Sequence, residues 1–363
     1  MRTRQLLLAI AGVCASTAAF AQSANPVTLY GRIYAVAETV RATGGVTPVS
    51  TRNRVTDRVS LIGIRGAEDL GGGLKAFFQL ESAAPPDVGG GTLGSRNSGV
   101  GLTGGWGTIL LGRWDTPFKV VHAAIVDPFG DIAAPDITAV ALNQGNFSRR
   151  ENNVVQYWSP TIGGFSFRAH YSANEGKTAT ANPSLTGASL TYAAGNAYVA
   201  YAWEKHKDQS GATTVAGANE IGNAVSAFYR LGSLKLSGQV GRYKRTGTET
   251  QRSYMVGLDW ALGKHVLLAS VQNSRNGGVT TAAQPKCNLV GLGYRYDFSK
   301  RTSLVADYTK IDNDVGNLCN FGTSPLTITA GHPAITTAAR NSTTGALIPT
   351  SGRTWPGSLA MRS

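Results

Sequence analysis

Four aspartates, Asp115, Asp127, Asp131 and Asp136, fall within residues 114–146, a stretch with no strand pattern. Arg149 and Arg150 follow it, while Arg32 and Arg65 stand in alternating runs nearer the N-terminus. Carboxylates set against guanidinium groups across a water-filled gap do not make a reaction centre. They make a transverse field, focused by low-dielectric walls, that orients dipolar solutes and concentrates counter-ions. Nothing else in the chain points to catalysis. Gly99-Val-Gly101-Leu-Thr-Gly104 fits G-x-G-x-x-G, but a strand follows it and not a helix. Gly176-Lys177-Thr178 lacks the earlier glycine of a phosphate loop, since Tyr171 stands there. His122, His170, His206, His265 and His332 show no metal-ligand spacing. No catalytic residue, metal or cofactor is expected.

Those charges must be held by strands. Val27, Leu29, Ile33, Ala35 and Ala37 share one face of a run, and Thr28, Tyr30, Arg32 and Tyr34 share the other. In Leu74–Glu81, Lys75, Phe77, Gln79 and Glu81 alternate with Leu74, Ala76, Phe78 and Leu80. Period-two alternation marks a strand between two environments. The pattern recurs, with tight turns at Gly104-Gly105, Pro160–Gly164, Ala194–Asn196, Leu231–Ser233, Leu262–Lys264 and Phe298–Arg301. Between them lie longer polar segments, among them 41–57, 84–95, 114–146, 206–221, 275–287 and 312–350. Short connections at one end and long ones at the other distinguish a transmembrane barrel from a soluble sandwich. The expected fold is all-β, a transmembrane antiparallel β-barrel of about 16 strands. The long third loop, about 114–146, folds into its pore. A structureless loop of roughly 30 residues inside a compact domain is usually functional.

Composition agrees. Arg2 and Arg4, the apolar run Leu6–Val13 and Ala19-Phe20-Ala21 read as a signal peptide over residues 1–21, leaving 22–363 as the barrel. Its removal takes away two basic residues and no acid, so the formal charge of +13 falls by two. Arg and Lys recur singly and not in blocks, which argues against nucleic acid as a partner. Rings of Arg or Lys along a pore favour anions. Cys287 precedes one strand of a hairpin and Cys319 follows the other. Both emerge at the long-loop end, where a disulfide is expected.

The chain resembles the Gram-negative general porins. The residues that carry the likeness are Val27-Thr-Leu-Tyr-Gly31, Ile62-Gly-Ile-Arg-Gly-Ala-Glu-Asp-Leu-Gly-Gly-Gly-Leu-Lys-Ala-Phe-Phe-Gln-Leu-Glu81, Leu111-Gly-Arg113, Asn153-Val-Val-Gln-Tyr-Trp-Ser-Pro160 with Gly163-Gly-Phe-Ser-Phe167, and Ser299-Lys-Arg-Thr-Ser303. The resemblance implies a homotrimer of sixteen-stranded barrels in the outer-membrane lipid of a Gram-negative bacterium, passing small hydrophilic solutes and ions. It implies a basic ladder on the wall, mapped onto Arg32, Arg96 and Arg150 or Arg149, with Arg65 keeping the inward parity where Leu61 departs from the pattern. It implies an acidic lip on the loop, mapped onto Asp127 and Asp131, with Asp115 and Asp136 beside them. The expected last strand, about 351–363, is atypical: Ser363 stands where such chains end in phenylalanine, and Pro356 cannot donate to a ladder. The main reading is an anion-preferring diffusion channel. The alternatives are a channel selective for one organic anion, and a surface interaction barrel with incidental conductance.

Overall fold

A computed structural model describes residues 27–43, 49–123, 125–130, 133–142, 147–173, 175–211, 213–247, 250–275, 286–314, 319–321 and 334–344. The strands are β1 (Thr28–Thr43), β2 (Val49–Asp57), β3 (Leu61–Gly71), β4 (Leu74–Ala83), β5 (Ser98–Gly104), β6 (Gly107–Asp115), β7 (Arg150–Trp158), β8 (Phe165–Ala173) and β9 (Ser184–Ala194). They continue as β10 (Ala197–Ser210), β11 (Thr213–Leu231), β12 (Leu234–Arg245), β13 (Gln251–Leu262), β14 (His265–Arg275), β15 (Lys286–Ser299), β16 (Thr302–Asn313) and β17 (Ala334–Thr344). One short helix, α1 (Pro117–His122), follows β6.

All pairings are antiparallel and, apart from those of β1 with β3 and β17, join chain neighbours. β2 and β3 are two pieces of one crossing: β2 pairs the upper part of β1 from Ala35 to Ala42, and β3 pairs its lower part from Thr28 to Arg32. They part at Val59, whose φ of 64° breaks the extended run. The crossings therefore number sixteen. β17 pairs with β16 on one edge and β1 on the other, so the pairing runs full circle. Residues 1–21 and the expected last strand 351–363 lie outside the described residues.

Alternation explains the two faces. Leu29, Ile33, Ile62, Ile64, Val100, Leu102, Val199, Val225, Val256, Val271 and Leu292 are exposed on the outside. On a soluble protein so large an apolar surface would be a liability; around a barrel it is the lipid belt. No helix among the described residues is long and apolar enough to cross a membrane; the crossing is made by strands. Near the short turns the outward face becomes aromatic. Trp106 stacks on Tyr157 at 6.5 Å, Tyr157 meets Phe167 at 5.4 Å, and Phe165 meets Tyr192 at 4.7 Å. Girdles of this kind mark a membrane interface.

The structure corrects the polar segments. Residues 41–57, expected as a connection, continue β1 to Thr43 and contain all of β2. Likewise β10 runs to Ser210 and β11 starts at Thr213 inside 206–221, and β17 lies inside 312–350. Above the lipid the outward face is polar as well, so the apolar–polar alternation of the sequence weakens. Burial still alternates, as in β1, where Glu38, Val40 and Ala42 are buried and Thr39, Arg41 and Thr43 are exposed.

Candidate functional site: the lumen and its loop

The third long connection folds inside the barrel. Thr116 caps α1, its side chain accepting from the Lys119 backbone N–H at 3.3 Å, and Pro117 opens the helix. Phe118, Val121, Val126, Ile137, Leu142 and Phe147 then bury against Tyr198, Ala200, Ala224, Tyr243 and Met255 on β10–β13. Phe129 and Ala133 pack on Val266 and Leu268 of β14. Ala134, Ala139 and Val140 pack on Val40, Leu289, Ile311 and Phe321. The Cys287–Cys319 disulfide lies in that last cluster.

The wall is shaped to receive the loop. A Cβ on Gly291 would stand 2.2 Å from Pro135 Cβ, and one on Gly257 would stand 2.4 Å from Pro128 Cγ. A Cβ on Gly222 would stand 2.6 Å from the Phe147 ring, and one on Gly293 would stand 2.7 Å from the Phe129 ring. These inward glycines are sockets. Polar contacts fix the same seat. Gln272 Nε2 donates to the carbonyls of Pro135 (2.9 Å) and Asp136 (3.0 Å), while its Oε1 accepts from the Ala141 N–H at 3.1 Å. Tyr198 donates its hydroxyl to the Val121 carbonyl at 3.3 Å. His122 Nδ1 meets Ser226 Oγ, and burial pushes the imidazole down to a pKa of about 3.

The other side of the lumen is charged. Arg96 Nε donates to Glu81 Oε1 at 2.7 Å, and Tyr30 donates its hydroxyl to Glu81 Oε2 at 3.0 Å. The Arg65 guanidinium lies 5.1 Å from the Tyr30 ring centre. Arg32 Nε donates to the Val59 carbonyl at 2.9 Å. Arg150 donates to Asn97 Oδ1 at 2.7 Å and to Asp115 Oδ1 at 3.0 Å. Arg149 turns elsewhere, to Glu151 at 2.5 Å and to Gln209 and the Gly211 carbonyl at 3.1 Å each. Thus β1, β3, β7 and the segment before β5 bring Arg32, Arg65, Arg96 and Arg150 to one wall, and Arg149 stands apart.

The aspartates behave differently from an open lip. Asp115 is an ion-pair partner at the foot of the loop, with Lys119 Nζ at 3.6 Å as well as Arg150. Asp127 is buried and accepts from the N–H groups of Phe129 (2.9 Å) and Ile137 (2.8 Å). Asp136 is buried and accepts from the Thr138 N–H at 2.7 Å and from its hydroxyl. Asp127 and Asp136 thus serve the loop's own fold, because aspartate readily accepts from backbone N–H groups a few residues on. Asp131 lies outside the described residues.

The wall carries acids of its own. Glu38, buried on β1, holds Arg58 at 2.5 Å and Arg54 at 2.7 Å. Arg54 and Arg58 lie near Leu61 in the sequence as candidates for the charge it lacks, but their pairing with Glu38 leaves no sign there. Glu81 was visible as an inward residue of β4, and its pairing was not. Among the described residues no group of three or more His, Cys, Asp and Glu is arranged to hold a metal.

A sixteen-crossing barrel with a lipid-facing belt, a charged lumen and an inserted loop defines an outer-membrane diffusion channel. The model of the Gram-negative porins matches residues 7–316, and the chain belongs to that family. Outer membrane porin protein 32 of Delftia acidovorans is 30% identical over 332 residues, covering 85% of this chain and 90% of that one. Among solved structures, the anion-selective porin from Comamonas acidovorans superposes with a TM-score of 0.77 at 25% identity, covering 88% of this chain and 99% of that one. The trimer form of OmpT from Vibrio cholerae, at 16% identity and a TM-score of 0.67 over 88% and 99%, shares the fold.

Proposed function

We propose that this porin works as a homotrimer and passes small hydrophilic solutes with a preference for anions, by diffusion and without a reaction step. One observation carries the preference. Arg32, Arg65, Arg96 and Arg150 gather on one wall, while Asp127 and Asp136 of the facing loop are buried within it. The loop therefore tempers the field less than an open acidic lip would. Glu81 and Asp115 offset part of the charge; Arg65 has no carboxylate partner among the described residues. Basic rings in a low-dielectric channel raise the local concentration of anions. The relative with an anion-selective pore and the trimeric neighbour support the same reading.

Planar-bilayer recording tests both parts. In a potassium chloride gradient the reversal potential takes the sign of chloride permeation, and insertion gives conductance in groups of three steps. A reversal potential of the potassium sign, or single steps only, rejects the corresponding part.

A further inference from the structure

A second connection enters the mouth of the barrel. Cys319 and Phe321, between β16 and β17, are buried in one cluster with Val40 and Ala42 of β1, Leu289 of β15, Ile311 of β16, and Ala134, Ala139 and Val140 of the inserted loop. The strand residues of that cluster face the lumen. Val40 and Ala42 are buried between exposed Thr39, Arg41 and Thr43, and Leu289 between exposed Asn288 and Val290. A segment packed on them lies inside the wall and not on its rim. It lies at the long-loop end, which in this class of barrel is the outer end.

Three kinds of contact fix it there. The covalent one is the Cys287–Cys319 disulfide, which joins residues 32 apart in sequence. Asn313, the last residue of β16, supplies a polar clasp: its Nδ2 donates to the Cys319 carbonyl at 3.0 Å, and its Oδ1 accepts from the Cys319 N–H at 3.2 Å. The base of the connection is closed between Asp314 and Lys286. The Asp314 N–H donates to the Lys286 carbonyl at 2.9 Å, and the Asp314 carboxylate accepts from the Lys286 N–H at 2.9 Å. Phe321 adds the apolar contact. The inserted loop is thus gripped twice near residues 134–140. The wall holds it through Gln272 and Gly291, and a second connection packs on it.

We propose that Cys319–Phe321 is a second constricting element, and that the oxidation state of Cys287 and Cys319 sets how wide the outer mouth stands. Ordering a short segment costs conformational entropy at every residue. The cross-link removes much of the freedom that the detached segment would regain. The pair closes by exchange with a disulfide oxidant, protein or small molecule, in the oxidising compartment the chain enters. A cysteine thiolate attacks the oxidant's disulfide and the second thiolate displaces the mixed disulfide. The pair gives up two electrons and two protons, and the oxidant leaves as a dithiol. With both thiols reduced, only Asn313 and Phe321 hold the segment, and residues 134–140 lose a neighbour. The anion preference plays no part in this.

The test compares protein extracted from outer membranes, the same protein unfolded and refolded in dithiothreitol, and the variants C287S/C319S and F321A. The reductant is applied during refolding because both cysteines are fully buried in the fold. Alkylation and peptide mass spectrometry report the state of Cys287 and Cys319. Planar bilayers give the single-channel step, liposome swelling in sugars of increasing size gives the exclusion limit, and heat-dependent migration in detergent gels gives barrel stability. The reduced protein and C287S/C319S should show larger, noisier steps and admit larger sugars than the oxidised protein. F321A keeps the bond and shifts both readouts in the same direction. Wild-type steps and exclusion limit in C287S/C319S overturn the proposal, and F321A decides in the same way if that variant does not fold. A loss of heat stability with an unchanged step also overturns it, because the bond would then serve the fold alone.

Discussion

On the wall from β10 to β16, Gly222, Gly257, Gly291, Gly293 and Gln272 receive the inserted loop through close packing and directed hydrogen bonds. From the lower half of β1 to β7 the wall is charged: Arg96 meets Glu81, Arg150 meets Asp115 and Asn97, Arg32 meets the Val59 carbonyl and Arg65 the Tyr30 ring. The first wall is dry and shape-specific, so small volume changes there are costly. The second is wet and charge-specific, so it tolerates changes of shape and answers to changes of sign. On the function proposed above, one side would set how wide the channel is, and the other what the channel prefers.

The largest expected effect comes from filling the dry wall. Gly257→Val with Gly291→Val drives side-chain carbons into Pro128 and Pro135, and overpacking costs about 1–3 kcal/mol at each site. The loop leaves its seat, so single-channel conductance and current noise rise; an unchanged conductance would mean that the sockets do not hold the loop.

Acid acts on the same wall next. The buried His122 is neutral in the folded loop, with a pKa of about 3, and in the unfolded chain it titrates near its ordinary 6.5. Between these values the unfolded state binds the extra proton, so the stabilisation is complete above about pH 6.5 and is lost as pH falls. At about 1.36 kcal/mol per pH unit, moving from pH 6.5 to 5 costs roughly 2 kcal/mol. Heat stability and conductance noise measured from pH 7 to 5 should show the slope, and His122→Gln should flatten it.

The wet wall gives smaller, signed effects. Glu81→Gln frees Arg96 from its carboxylate, and Arg65→Gln removes a cation without one. The anion-to-cation permeability ratio rises in the first and falls in the second, each by about twofold, or about 0.4 kcal/mol. Reversal potentials that move the same way in both would break the division between the walls. Smallest is the salt effect: the preference weakens between 0.1 and 1 M salt as the screening length falls from ~10 to ~3 Å, while the conductance changes of the glycine variants persist.

The strands were legible because lipid outside and water inside impose a strict period of two, and Arg32 and Arg65 could be placed inward from parity alone. The polar ends of β1, β10 and β11 were illegible because there the outward face is polar too and the inward face carries Glu38, Glu204, His206 and Glu220. The seat of the loop was hidden for another reason. Gly257 and Gly291 reveal nothing in a strand except that they are small; only Pro128 and Pro135, distant in sequence, give them a meaning. The roles of Asp127 and Asp136 were illegible because a carboxylate in a loop can face a channel or hold its own turn, and residue type does not distinguish the two.

The absent side chains at Gly222, Gly257, Gly291 and Gly293 bind distant parts of the chain to a shared history. A bulkier tip at Pro128 or Pro135 has nowhere to go, and a methyl group gained on the facing strand evicts the tip already there. The insert cannot be exchanged for a sister channel's unless β11, β13 and β15 travel with it. Grafting a new throat onto this cylinder is therefore a task of recutting both lock and key.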